Sequence, residues 1–344
     1  MCSEEIIMKA LVCIQPGEFA YKEIGTPIAG PGQAIIRIRR IGICGTDLHA
    51  FEGTQPYFDY PRILGHELAG DLVDVDKAPG FVVGEAVTVI PYFNCGTCIA
   101  CRNGKPNCCT TLKVCGVHID GGMVDYLVVP SAALVHGGGL SYDQLALVEP
   151  LAIGAHAVRR AGIQPGEFVL VVGAGPIGLG TMEAARIAGG EVIAMDINED
   201  RLRFCREKLE VLHTVNASAD AMEALKHITR GGMPTVVIDA TGSLKAIENA
   251  FQYMAHGARY VLVGLQKGDI RFSHPEFHKR EGTLMSSRNA TRADFELVMD
   301  SMRHGLIDPT TYITHRVEFG EVKAEFAGWL DPARGVIKAM VEKE

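Results

Sequence analysis

The stretch Phe168-Val169-Leu170-Val171-Val172-Gly173-Ala174-Gly175-Pro176-Ile177-Gly178-Leu179-Gly180 decides the fold of this chain. An apolar, β-branched run suited to a buried strand passes directly into glycines spaced G-x-G-x-x-G, then into Leu179–Ala188, which reads as a helix. Each glycine has its own physical reason. Gly173 lets the chain turn tightly, Gly175 lets backbone approach a pyrophosphate, and Gly178 lets the helix pack on the strand. The helix N-terminus, opened by Pro176 and Ile177, then turns its N–H groups toward the phosphates. A second strand, Glu191–Met195, follows and ends in Asp196, where a carboxylate grips a ribose 2′-OH.

Outward from this nucleus, strand and helix alternate. Arg201–Leu209 reads as a helix, Val211–Val215 as a strand, Ala217–Arg230 as a helix and Thr235–Ala240 as a strand. Then come a helix Lys245–Ala255, a strand Ala258–Gly264 and a strand Thr283–Ser287. Val263 and Gly264, which end the fifth strand, are assigned to the cofactor-binding surface. Six strands with intervening helices predict an α/β, doubly wound parallel sheet. Beyond it a helix Ala293–Gly305, a strand Thr314–Phe319 and a last helix and strand carry no second glycine fingerprint.

The half before Pro150 has a different texture, with short strands at Lys9–Ile14, Ala20–Ile24, Ala34–Ile43, Asp71–Val75 and Met123–Pro130 broken by turns. The third strand releases into Cys44-Gly45-Thr46-Asp47-Leu48-His49, which gathers a thiol, a hydroxyl, a carboxylate and an imidazole within six residues. Gly65-His66-Glu67 adds a second imidazole and a carboxylate inside an apolar stretch, where an ionised Glu67 is costly unless paired or near a metal. The run Leu145–Leu151 contains a single carboxylate, Glu149, which by itself reads equally as a helix-end residue before proline. His118, in the turn Gly116–Gly122, reads as a pocket residue or a surface one.

Cys95-x2-Cys98-x2-Cys101-x7-Cys109 carries the most specific signal of this half, since four thiolates so spaced wrap one tetrahedral Zn²⁺. Cys108 competes for the fourth position, and Cys109 is preferred. An iron–sulfur cluster is the rival reading, but such runs close with x3-Cys-Pro, which is absent here. A redox-active disulfide pair is the third. With four protein thiolates the site would be closed and structural.

In this order and at these intervals, Cys44-Gly45-Thr46-Asp47, Gly65-His66-Glu67, the cysteine loop, Glu149-Pro150 and the glycine fingerprint resemble the zinc-dependent medium-chain dehydrogenases/reductases over nearly the whole chain. The resemblance implies a GroES-like β domain built from residues 1–150, with a structural zinc loop at 95–109, and from residues 289–344. The NAD-binding Rossmann domain, residues 151–288, is inserted between them. It further implies that Cys44, His66 and Glu149 ligate a catalytic zinc, with Glu67 a proximal or exchanging ligand, and thus two Zn²⁺ ions per chain with NAD, whose adenosine ribose Arg201, five residues after Asp196, would contact. Thr46 is placed for a hydroxyl relay that carries a proton away, with His49 as its outer member or as a surface histidine. Arg288 and Asn289, after the sixth strand, resemble substrate-binding residues of polyol dehydrogenases, with His118 a further substrate candidate and an exposed post-strand arginine the plain alternative.

Glutamate at position 149, where alcohol dehydrogenases of the family often have cysteine, is similar to the polyol, sugar-acid and threonine dehydrogenases. A hexonate 5-dehydrogenase acting on L-galactonate, L-gulonate or L-idonate is the favoured reading, and L-threonine 3-dehydrogenase the runner-up. A metal-free quinone reductase or structural lens protein of the same fold needs the zinc ligands missing, and here they are present.

The chain of 344 residues, 47% hydrophobic and 22% charged, has the balance of a globular protein of about two domains. A net charge of −8 without a Lys/Arg block argues against nucleic acid and membrane surfaces as partners. Residues Met1–Lys9 fit neither a signal peptide nor an anchor, and no stretch is long enough to span a bilayer. The ten cysteines are therefore expected in a reducing cytoplasm. A small polyhydroxylated substrate and a homodimer or homotetramer complete the expectations drawn from the resemblance.

Overall fold

The computed structural model describes residues 7–56, 58–76 and 78–344. The reading of the N-terminus as lacking a leader falls largely on residues 1–6, outside that range. The chain forms two compact units: one runs up to Glu149 and resumes over Met299–Glu344, and the other is Pro150–Val298. Among the described residues no helix is long and apolar enough to cross a membrane.

The first unit is built on a sheet centred on Gln33–Ile43. That strand pairs antiparallel with Glu67–Val75 and Tyr126–Pro130, and on its other side with Lys338–Glu342. Ile36, Ile38 and Ile41 are buried beneath it with Leu11, Leu68, Leu72 and Met123, each at most 1% exposed. At about 1.5–3 kcal/mol per fully buried aliphatic side chain, this face is what holds the unit together. The register sets Glu67 opposite Gly42 and Met340 on Gly42's other side. The strand expected at Asp71–Val75 begins earlier, at Glu67, so the acid is a strand residue.

The second unit carries the parallel sheet of six strands. In chain order these are Phe168–Val172, Glu191–Asp196, His213–Asn216, Val236–Asp239, Arg259–Leu262 and Thr283–Ser286. Their spatial order is third, second, first, fourth, fifth, sixth, the doubly wound arrangement that the fingerprint predicts. The first strand is central and fully buried over Val169–Val171, as a strand covered on both faces must be.

Local chemistry trims several helices. Asn198 caps the third-strand crossover helix, its Oδ1 accepting from Asp200 and Arg201 N–H, so that helix starts at Glu199. The helix read as Ala217–Arg230 is Ala221–Ile228, begun by an Asp220 cap and ended where Arg230 and Gly231 turn to positive φ. The apolar run around Glu149 starts a long helix, Val148–Ala161, so Glu149 sits at a helix start. Pro150 is tolerated there because first-turn N–H groups need no intrahelical partner.

Candidate functional site

The first unit gathers two groups of metal-ligating side chains. The strand Gln33–Ile43 ends at Cys44, which is the N-cap of the short helix Gly45–Glu52. The same helix brings Asp47 back over its own start, where one carboxylate oxygen accepts from Cys44 N–H at 2.9 Å and the other from Gly65 N–H at 3.2 Å. Asp47 therefore ties the cysteine segment to the His66 segment and lies 3.7 Å from His66 Nδ1. As a result Cys44, His66 and Glu67 present ligand atoms all within 4.8 Å of one another.

Glu149 approaches from the helix Val148–Ala161. It is 2% exposed, and it stands outside the 4.8 Å group. Its Oε1 accepts from the hydroxyl of Tyr92, which is itself buried. Its Oε2 has no hydrogen-bond partner among the described residues, and neither has His66 Nδ1. Two orphaned buried polar atoms beside a thiol and a second carboxylate are the pattern that a divalent metal would satisfy.

The electrostatics agree. Burial pushes the Glu149 carboxyl up to about 7, with Glu67 adding to the rise. Burial opposes charge on His66, yet Asp47, Cys44 and Glu149 around it outweigh burial and hold its pKa well above the ordinary histidine value. Burial likewise raises Asp47. Carboxyls whose ionised form is this costly to bury are served by a cation, and Zn²⁺ with its S, N and O donors fits this set.

One cation is already supplied by the protein. Lys338, 2% exposed, reaches in from the C-terminal strand and donates to both oxygens of Glu67 at 2.7 and 2.8 Å and to Ile43 C=O at 3.0 Å. Its three protons are thus all used. Sequence reading required a partner for Glu67 without finding Lys338, Tyr92 or the bridging role of Asp47. The signal for Lys338 is a lone lysine in the apolar run Val336–Val341.

The second group is Cys95, Cys98, Cys101 and Cys109. The Cys98–Cys101 and Cys95–Cys109 sulfurs are each 3.5 Å apart, near the edge of about 3.8 Å that a tetrahedron with Zn–S bonds of about 2.3 Å has. Backbone N–H groups of Cys95 and Cys98 point at sulfurs of Cys109 and Cys95, both at 3.3 Å. Hydrogen bonds from Thr97 and Cys98 bring Cys95 down to about 5, while burial and the neighbouring thiols push Cys101 up to about 12, so without a metal the four share their protons unequally. Cys108 is exposed and lies outside the group, whereas Cys109 is buried within it.

The remaining residues singled out in the first unit fall on its surface layers. Thr46 is half-buried and His49 exposed, one helical turn apart on the same helix. His118 is exposed, and its Nδ1 accepts from Val114 N–H at 3.0 Å, so it fastens its own turn.

In the second unit the glycine loop behaves as its spacing demands. Gly173 turns at φ +100°, and a Cβ on Gly178 would lie 1.8 Å from Gly173 O, so only glycine lets the helix Pro176–Ile187 sit on the turn. A Cβ on Gly175 would meet only Arg201 Nη1, at 4.0 Å, which leaves the approach to its backbone open for a ligand. Asp196 ends its strand and accepts from Ala174 N–H at 2.7 Å and Asn198 N–H at 2.9 Å. An ionised carboxylate has about four lone-pair sites, so capacity remains for ribose hydroxyls. Val263 and Gly264 both donate N–H to Asp239 C=O, and Gly264 is packed where a Cβ would be 2.2 Å from Gly242 N. Arg288 is exposed, and Asn289 holds φ +54°, a conformation asparagine tolerates. Ser287 beside them has a buried hydroxyl with no partner among the described residues.

Residues 30–138 match the model of the alcohol dehydrogenase GroES-like domain, and residues 176–304 match that of the zinc-binding dehydrogenases. The chain is 44% identical over 336 residues to L-galactonate-5-dehydrogenase of Escherichia coli K12, covering 97% of this chain and 98% of that protein. An alcohol dehydrogenase structure from E. coli CFT073 in complex with NADH is 30% identical, with a TM-score of 0.90 over 98% of this chain and 99% of the other. A zinc-binding dehydrogenase of Sinorhizobium meliloti 1021 bound to NADP is 28% identical, with a TM-score of 0.90 over 98% and 100%. The chain belongs to the zinc-dependent medium-chain dehydrogenases/reductases, oxidoreductases that act on CH–OH groups.

Proposed function

We propose that this enzyme oxidises a secondary hydroxyl of a sugar acid, or of the related polyol, to a ketone with NAD as hydride acceptor. The observation that carries the reading is the grouping of Cys44, His66 and Glu67, with Glu149 offering a free buried oxygen, in a chain 44% identical to an L-galactonate-5-dehydrogenase. Bound at that group, zinc would supply Lewis-acid polarisation of the substrate hydroxyl, and nicotinamide the hydride acceptor.

The chain's own residues do the rest. Asp47 fixes the segment of Gly65 and His66 and lies beside the imidazole. Lys338 offsets the charge of Glu67. Thr46 and His49, on one face of their helix, form a route for the alcohol proton from a half-buried hydroxyl to an exposed imidazole. Arg288 and Asn289 would hold the carboxylate or vicinal hydroxyls, a reading supported by the unpartnered Ser287 hydroxyl next to them. Asp196 would favour NAD by repelling the 2′-phosphate of NADP. Two zinc ions per chain, a homodimer or homotetramer and a cytoplasmic location accompany this reading.

The test is kcat/KM on aldonates, matching alditols, threonine and ethanol for wild type and Arg288→Ala. A charge-assisted contact of roughly 1.5–3 kcal/mol predicts a loss of about one to two orders of magnitude on the aldonate and a smaller loss on the alditol. Equal losses, or better turnover of threonine or ethanol than of any aldonate, would remove the sugar-acid assignment.

A further inference from the structure

The hydroxyl of Tyr92 has no part in the chemistry outlined above, yet among the described residues it donates to Glu149 Oε1. We propose that Tyr92 is a positioning residue: by occupying Oε1 it leaves Oε2 as the single oxygen that Glu149 offers to the metal, and it does so from the base of the four-cysteine loop. The proposal rests on the reading of Glu149 as a ligand of the catalytic zinc.

Three observations meet in it. The two oxygens of Glu149 are unequal, one accepting from Tyr92 and the other buried without a partner. A ligating carboxylate can offer one oxygen or both unless a donor pins one of them, and Tyr92 is such a donor on a buried ring. The ring is fixed in turn by a two-stranded ladder, Tyr92 opposite Val114 and Phe93 opposite Lys113. That ladder brackets the segment from Cys95 to Cys109, so the closed thiolate site clamps the strand that carries the phenol. Glu67, by contrast, has both oxygens held by Lys338. The two carboxylates are thereby given different duties by different partners.

The experiment uses the zinc-loaded full chain and Tyr92→Phe, which removes one oxygen and keeps the ring. Zinc release to a chromogenic chelator is followed in time, and the visible spectrum is recorded after cobalt replaces the catalytic zinc. Loss of a group that orients a metal ligand costs roughly 10–100-fold in metal affinity, so the faster-releasing equivalent should leave about tenfold or more sooner in Tyr92→Phe, with a changed cobalt spectrum. In a Glu149→Ala background the same substitution should change neither quantity, because its effect runs through the carboxylate.

Unchanged release and spectrum in Tyr92→Phe, with two zinc ions bound by wild type, would overturn the inference and leave the zinc reading intact. An equal acceleration in the Glu149→Ala background would overturn it too, by showing a general loosening. A wild-type chain that binds a single zinc equivalent would overturn both. If Tyr92→Phe does not fold, Val114→Ala loosens the ladder that holds the ring: the faster-releasing zinc should leave sooner in that variant and not in a Glu149→Ala background, and any other pattern counts against the proposal.

Discussion

Gly42→Ala is the smallest change that should disable the buried ion pair of the first unit. Gly42 lies in extended strand between Glu67 and Met340, so alanine meets no conformational penalty there. The added Cβ, however, would sit 2.0 Å from Glu67 Oε2 and 3.1 Å from its Cδ, far inside ordinary contact. The atoms in the way belong to one side chain, so the carboxylate must leave. Doing so strips Lys338 of contacts at 2.7 and 2.8 Å, and Lys338 is 2% exposed with only Ile43 C=O remaining.

Stranding one partner of a buried pair costs about 3–5 kcal/mol. For a folding unit of this size each kcal/mol moves the midpoint by about 2–4 °C, so calorimetry should show the first unit melting roughly 6–20 °C lower. In a Glu67→Ala, Lys338→Met background the obstructing carboxylate and the dependent cation are both gone, and Gly42→Ala should cost under about 1 kcal/mol. An equal cost in the two backgrounds, or a wild-type melting point for Gly42→Ala, would refute the reasoning.

Removing one ligand from each metal group should separate their roles: Cys98→Ser is expected to destabilise or aggregate the chain, since structural zinc contributes on the order of 10 kcal/mol to folding in small peptides. Cys44→Ser should stay folded, keep one zinc equivalent by elemental analysis and lose activity; a single equivalent in chelator-free wild type would contradict the two-site arrangement. Asp196→Ser should lower the ratio of kcat/KM for NAD over NADP, and equal use of both cofactors by wild type would show that the carboxylate does not discriminate. Asp294 gives a pH signature in the second unit: burial pushes its pKa up, but donors from His156, Arg159 and Thr291 outweigh burial and hold it well below the usual carboxylate range. A depressed folded-state pKa stabilises above the unfolded value of about 3.9 and is lost as pH falls through the folded value. Denaturant midpoints of wild type and Asp294→Asn should therefore converge as pH drops from about 5 toward 2, and a constant gap would count against it.

What the sequence shows of this site follows the distance over which each interaction acts. The four cysteines span fifteen positions, so their spacing alone displays the metal loop, and the glycines of the fingerprint are legible because each answers a clash with a near neighbour, as Gly178 does with Gly173. Periodicity likewise gives the parallel sheet, though not the helix Val148–Ala161, whose first turn contains a proline and reads as a break. Lys338 and Glu67 are 271 positions apart, and Tyr92 and Glu149 are 57 apart; neither pairing has a local pattern, because strand register across Gln33–Ile43 brings the first pair together and the helix Val148–Ala161 carries Glu149 to the second. His118, in a suggestive turn, makes a contact of the short-range kind, its Nδ1 accepting from Val114 N–H four positions away.

The interval between Glu67 and its lysine has a consequence during synthesis. At about 5–20 residues per second the chain carries Glu67 for roughly 14–54 s before Lys338 is made, and the whole parallel-sheet unit is translated in between. Through that time the strand Gln33–Ile43 has neither its C-terminal neighbour nor a counter-charge for the acid opposite Gly42. The nascent first unit is thus an open-edged sheet with an unneutralised carboxylate. Among the described residues the inserted unit depends on no strand from outside itself and is free to fold first, so the part encoded earliest is the part finished last.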